Sequence, residues 1–248
     1  MNRKLELSAL RLFIVLCFAL LTISCNQSSL TNKDLQDVTV INAKIEINQS
    51  LEKQGDNYTI VELYDADNNE IRNDTVKLFI NGSKYNYTVK KGLYYTEDYY
   101  YYNENIAPIN NKYKLEIELP NGKRFFLAEI EALKQVKEQD VLHAKNGNLD
   151  QNFDFSWKNM GDVNQLIIEK SIKTIKPEEP NITTYNSELD TINIKANGNY
   201  VIPKASKNKQ VSILNFIANQ TGTVNPELLK GSKITITGKL EIRLENSL

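Results

Sequence analysis

The sequence predicts an all-β protein: two consecutive β-sandwich domains that follow an export signal and a short tether. Three observations carry this. Apolar residues alternate with period two from Val38 onward, as half-buried strands require. Turn signals recur between the alternating runs, above all Asn81-Gly82 and Asn121-Gly122. Aromatic and β-branched residues fill the runs themselves, in Tyr85-Tyr87-Val89, Tyr113-Leu115-Ile117 and Phe153-Phe155-Trp157.

The chain opens with the basic residues Arg3, Lys4 and Arg11, then an uncharged run over 12–24 (LFIVLCFALLTIS), then Cys25. A charged start, a short apolar core and a small residue before the cut make a secretory signal. The run is too short for a membrane-spanning helix, which needs roughly 17–25 residues. Residues 26–36 are polar and read as a tether between Cys25 and the fold, so the expected order is signal 1–24 and tether 25–36.

The first expected domain covers 37–133. Val38 and Val40 share one face, and Ile41, Ala43, Ile45 and Ile47 take up the opposite parity, which predicts a bulge or a strand that changes sheets. Val61-Leu63, then Val76-Leu78-Ile80 before Asn81-Gly82, then Tyr113 to Leu119 before Asn121-Gly122, supply further strands. The alternation is lost over 134–151, where charge, Gly and Asn accumulate, so the domain boundary is placed at 134. The second domain covers 134–248. Its strands are expected at FDFSW, NQLIIEKS, 192–194, 200–202, the apolar run 211–218 and the closing Ile234 to Leu244 run, with one helical turn at 225–231.

Composition narrows the function. The net charge of −1, slightly more acidic once the basic leader is removed, points to no nucleic acid partner. The two cysteines are Cys17, inside the apolar core of the leader, and Cys25. The body after Cys25 therefore has no thiol for a disulfide, a thiolate metal site or a Cys nucleophile, and relies on burial alone.

No catalytic residue and no cofactor is expected. His143 is the sole histidine, it stands in the charged stretch 134–151, and the chain has no Gly-x-Ser-x-Gly elbow. It is read as a solvated loop residue. One histidine without free cysteine also makes a poor zinc site. Asp65, Asp67 and Asn69 imitate the first ligands of an EF-hand loop. Glu70 replaces the required Gly, however, and Val76 the closing Glu, so a tight turn is expected. The candidate ligand or partner surface is Tyr94, Tyr95, Tyr99, Tyr100, Tyr101 and Tyr102. Consecutive strand residues face opposite ways, so some of these tyrosines must meet solvent or a partner, and a tyrosine ring suits sugar stacking or protein contact.

The segment Leu21-Thr22-Ile23-Ser24-Cys25 resembles the lipobox of bacterial lipoproteins, with Thr22 in a position usually aliphatic. That resemblance implies cleavage before Cys25 and acylation of its thiol and new amino group. The wealth of Asn, Lys, Ile and Tyr resembles the protein usage of Bacteroidetes-type bacteria. The order FDFSW, NQLIIEKS, GNYVIP, VSILNFIANQTG resembles a fibronectin type III domain, with Trp157 at the core Trp position and Thr221-Gly222 at the late corner. The first domain, with VELYDADNNEIRNDTVKLFINGSKYNY, resembles bacterial immunoglobulin-like modules. Together the resemblances imply a non-enzymatic outer-membrane lipoprotein, periplasm-facing or on the cell surface, held by lipid on Cys25. It would be a binding or scaffolding module with a protein partner. The alternatives are a surface glycan-binding lipoprotein of a polysaccharide-uptake system, or a fimbrial or adhesin subunit.

Overall fold

The computed structural model describes residues 28–52, 55–91, 97–176 and 179–245. Cys25, the leader, Tyr94 and Tyr95 lie outside these residues. Among the described residues the chain is nearly all β, in sixteen strands. They are β1 Asn42–Ser50, β2 Tyr58–Tyr64, β3 Lys77–Ile80, β4 Ser83–Lys84, β5 Asn86–Lys91, β6 Glu97–Glu104, β7 Lys112–Glu118 and β8 Arg124–Glu131. There follow β9 Val141–His143, β10 Phe153–Trp157, β11 Val163–Lys176, β12 Glu179–Asn193, β13 Gly198–Ile202, β14 Lys209–Thr221, β15 Thr223–Val224 and β16 Lys233–Arg243. No described helix is long and apolar enough to cross a membrane.

The strands form three sheets. The largest has eight strands in the order β12-β11-β14-β16-β1-β2-β6-β5. Two smaller sheets have the orders β13-β10-β9 and β15-β8-β7-β3-β4. Alternation decides how they meet. Ala43, Ile45 and Ile47 on β1, Val61 on β2, Leu214 and Phe216 on β14 and Ile234, Ile236 and Leu240 on β16 are all buried on one face of the large sheet. The smaller sheets cover that face. Trp157 of β10 meets Phe216 edge-on at 6.0 Å between ring centroids. Tyr113 of β7 reaches the Gln49 side chain on β1 at 3.5 Å. The buried apolar residues of both halves belong to one continuous cluster.

The large sheet crosses residue 134, where the sequence pattern divides the chain. β1 pairs antiparallel with β2 on one side and parallel with β16 on the other, with Ile45 between Val61 and Ile234. A second crossing lies at Thr221-Gly222, where the chain leaves β14 and β15 then joins β8 in the five-stranded sheet. A Cβ at Gly222 would overlap the Glu129 carbonyl and stand 2.7 Å from Ile130 Cβ. Glycine is required there by the closeness of two backbones.

Several local expectations are refined. The parity change after Val40 comes from a single 3₁₀ turn over Val38–Val40, capped by the Asp37 carboxylate accepting from the Thr39 N–H at 2.9 Å. Asn81 and Gly82 take positive φ of 47° and 86° in the β3–β4 turn, as the Asn-Gly signal requires. The stretch expected as a helical turn at 225–231 forms turns without helix, and Asn225 Oδ1 accepts from the Glu227 N–H at 2.9 Å. His143 stands on strand β9 opposite Phe155, half-buried, instead of in a solvated loop.

The segment expected as part of the tether, over 28–36, lies against the fold. Leu35 is fully buried and Leu30 packs on the core. The Ser28 N–H donates to Glu70 O at 2.9 Å, and Asn73 Nδ2 donates to Asn32 Oδ1 at 2.6 Å. Two leucines amid polar residues are enough to dock a short segment, although they form no periodic pattern that composition would reveal.

Candidate binding surface

The Tyr segment is divided by the two-residue period of β6. Tyr101 points inward and is 2% exposed. Its hydroxyl donates to Asn73 O at 2.8 Å, which satisfies the buried group. Across the β5–β6 pairing Tyr101 faces Tyr87, with ring centroids 5.1 Å apart. Tyr99 lies on the same side, with the Arg72 guanidinium over its ring at 4.0 Å. Arg72 is held in turn by Glu70, at 3.0 Å from Nε to Oε2. Burial raises the hydroxyl of Tyr101 strongly, with the Tyr87 hydroxyl and Asp74 adding to it. Burial pushes Tyr87 up to about 12, with Tyr99 and Glu70 adding to the effect. Tyr101 is thus part of the core, with Tyr87 and Tyr99 half-buried beside it.

Tyr100 and Tyr102 take the opposite, solvent-facing side and are half-exposed. Tyr102 stands opposite Ile60 on β2 and meets the Tyr58 ring at 6.0 Å with a 42° tilt. Burial and then Glu104 raise the Tyr102 hydroxyl, so it stays a neutral donor. Tyr58 and Ile60 are also half-exposed. The result is an aromatic patch on a sheet face that no described element covers. The sequence singled out β6 but missed Tyr58, which only cross-strand register brings to Tyr102.

The remainder of that face is rich in hydrogen-bonding side chains. The register places Asn48 of β1 beside Tyr58 and beside Thr237 of β16, and Thr237 beside Asn219 of β14. Beyond them, Asn164, Gln165, Asn193, Asn219, Gln220 and Thr221 line an open groove of about 960 Å³. The Asn164 amide donates to Asn219 O at 2.9 Å and so braces the groove wall. A carboxamide offers donor and acceptor together, which matches the paired roles of a hydroxyl group.

A second concavity, about 550 Å³, lies at one end of the fold between Gln49, Asn57, Ile106, Pro108 and Leu133. Its buried amides are already engaged. Gln49 pairs with the Leu133 backbone, donating to the oxygen at 2.7 Å and accepting from the N–H at 2.9 Å. Asn57 accepts from the Ser50 N–H at 2.9 Å and donates to Ile106 O and Tyr113 Oη, each at 3.1 Å. This network fixes one wall of the cleft, which Asn105, Asn111, Lys134 and Gln135 also line.

The acidic turn is closed by its own backbone. Asp65 Oδ1 accepts from the N–H groups of Asp67 and Asn69 at 3.0 and 2.8 Å, and Asn68 takes a positive φ of 60°. Burial alone would raise Asp65, but hydrogen bonds from Ser28, Asn69 and Asp67 outweigh it and hold the carboxyl below its ordinary value. Among the described residues no group of three or more His, Cys, Asp and Glu side chains is placed to hold a metal ion. His143 Nδ1 lies 2.8 Å from Ala144 O. Trp157 is 6% exposed and its indole N–H donates to Lys195 O at 2.9 Å.

No family model matches this sequence, and no curated protein matches it. Among solved structures, the chain is similar to SGBP-B of the Bacteroides ovatus mixed-linkage glucan utilization locus, solved with a mixed-linkage heptasaccharide. The identity is 10% and the TM-score 0.19, over 84% of this chain and 62% of that one. The match thus spans less than two thirds of the length of SGBP-B.

Proposed function

We propose that the protein is a non-enzymatic lipoprotein, anchored to the bacterial outer membrane through lipid on Cys25, that serves as a binding or scaffolding module. The anchor rests on the lipobox-like Leu21 to Cys25 segment behind a short apolar run. The observation that carries the binding role is the uncovered face of the eight-stranded sheet. Its partner face is sealed by two smaller sheets, and it presents the half-exposed Tyr58–Tyr102 pair beside Ile60 and Tyr100. Several acyl chains give stable attachment, since a buried methylene contributes about 0.8 kcal/mol and a single chain binds only marginally. In this reading the two halves are an immunoglobulin-like unit over 37–133 and a fibronectin type III-like unit over 134–248, joined through the shared sheet.

The anchor is tested by growing cells with labelled palmitate. Wild-type protein is expected to carry the label and sediment with membranes, and Cys25→Ala to do neither. Label retained by the variant sinks the assignment.

A glycan partner is the second reading, favoured by the alignment of the tyrosine pair with Asn48, Thr237 and Asn219 on one face. Aromatic rings stack on apolar sugar faces while amides and hydroxyls take the sugar hydroxyls. An oligosaccharide panel on wild type, Tyr58→Ala and Tyr102→Ala tests it. Binding that falls at least tenfold in both variants supports a glycan partner. Silence across the panel favours a protein partner on the same face.

A further inference from the structure

The docking of residues 28–36 has a geometric consequence for the anchored molecule. A residue adds at most about 3.6 Å to a chain, so the Cα of Cys25 lies within about 11 Å of the Cα of Ser28. Ser28 is fixed to the body by its bond to Glu70 O. Glu70 bridges to Tyr64 at the end of β2, and Asp65 to Asn69 close the turn beyond it. The 28–36 segment is tied to this same pole a second time, where Gln36 O accepts from Asn121 Nδ2 at 2.9 Å in the β7–β8 turn. The lipid attachment point therefore has almost no free linker, and it leaves from one pole of the strands.

The opposite end is far away. From that pole β1 runs Asn42 to Ser50, and Ser50 pairs in parallel with Lys239. β16 then continues to Arg243, opposite Ile213 of β14, and β14 reaches back to Lys209, opposite Ile172 of β11. Ile172 pairs with Asn186 of β12. With about 3.3 Å per residue along a strand, Asn186 lies up to roughly 50 Å beyond the level of Asn42. The sides of this body carry charged and amide side chains together with small exposed apolar sets, Tyr185 with Leu189 on β12, Leu142 and Val201 beside β10, and the Tyr58–Tyr102 patch.

We infer that the protein stands directly on the lipid surface, with the Asp65–Asn69 pole against the headgroups and the β11–β12 hairpin at the far end. The inference rests on lipidation of Cys25. The partner is a lipid surface, and the seat is set by chain length and by the docking of 28–36. The aromatic patch then stands at the side of the body, about 20 Å along β1 from the seated pole, and partners approaching from solvent meet the β11–β12 hairpin first.

The experiment uses the lipidated protein reconstituted in phosphatidylethanolamine–phosphatidylglycerol vesicles doped with an acceptor-labelled lipid. Cleavage removes Cys17 and acylation occupies Cys25, so an introduced cysteine is the single reactive thiol. Ala66→Cys and Asn186→Cys, both exposed positions, receive a donor dye. Transfer to lipid is expected to be several-fold more efficient from position 66 than from position 186. Insertion of a twelve-residue Gly-Ser linker between Gln27 and Ser28 is expected to bring the two values together. Equal transfer in vesicle-bound protein without the insertion overturns the upright seat and leaves the anchor intact. Protein that fails to bind the vesicles, and whose N-terminus carries no acyl chain, overturns both.

Discussion

Ile45→Ala is the perturbation that asks whether the two halves behave as one body. Ile45 is fully buried in β1, between Val61 of β2 and Ile234 of β16. Removing three carbons from such a site costs about 2–5 kcal/mol, from lost transfer energy and the cavity left behind. For a body of about 220 residues each kcal/mol lowers Tm by about 2–4 °C. A cost near 3.5 kcal/mol therefore predicts a fall of about 7–14 °C. The readout matters more than the size of the fall. Trp157 is the only tryptophan and sits in the second half, whereas Ile45 is in the first. The shared sheet and continuous core predict that tryptophan fluorescence and far-UV circular dichroism report the same shifted midpoint. A tryptophan transition that stays in place while circular dichroism splits into two steps would refute the reasoning. It would mean that the β1–β16 pairing does not couple the halves.

Other expectations follow from single contacts. Gly222→Ala forces a Cβ against the backbone oxygen of Glu129 and the Cβ of Ile130, which is fixed close to its own backbone, and should cost about 3 kcal/mol in thermal unfolding, whereas Ser83→Ala on the exposed strand β4 should stay within about 0.5 kcal/mol; equal Tm values would show that the crossing can relax. Asp65 has its folded-state pKa depressed, so its contribution is complete above the ordinary carboxylate value and is lost as pH falls through the folded value. Asp65→Asn should therefore flatten the acid limb of the stability curve, and a limb unchanged in steepness would contradict the turn's role. Tyr101 has its folded-state pKa raised, so its contribution is complete below about pH 10 and is lost as pH climbs through the folded value. Tyr101→Phe should lose about 1 kcal/mol at pH 7 with the bond to Asn73 O, yet decline less steeply than wild type above pH 10. An alkaline limb as steep as that of wild type would count against burial as the cause.

Much of the fold was legible in local pattern. The Asn81-Gly82 and Asn121-Gly122 turns, the alternating runs and the divided orientation of Tyr99 to Tyr102 all follow from the two-residue period and from residues that tolerate positive φ. What lay outside reach was pairing between distant strands. Nothing in Ile45 or Ile234 announces that they are neighbours, because a buried central strand looks alike whichever strand flanks it. The stretch 134–151 shows the converse. Its charge suggests a linker, yet Val136, Val141 and Leu149 are buried singly, with spacings that match neither strand nor helix. Leu35 was hidden in the same way. The binding surface was half legible: Tyr102 stands in a conspicuous run, but Tyr58 joins it only through the β2–β6 register.

Lipidation of Cys25 is read directly by mass spectrometry of the mature N-terminal peptide from membrane-extracted protein. The mature chain is expected to begin at Cys25 and to carry acyl mass on that residue, with no corresponding species from Cys25→Ala. A mature chain that begins elsewhere, or an unmodified Cys25 in membrane-bound protein, would contradict it.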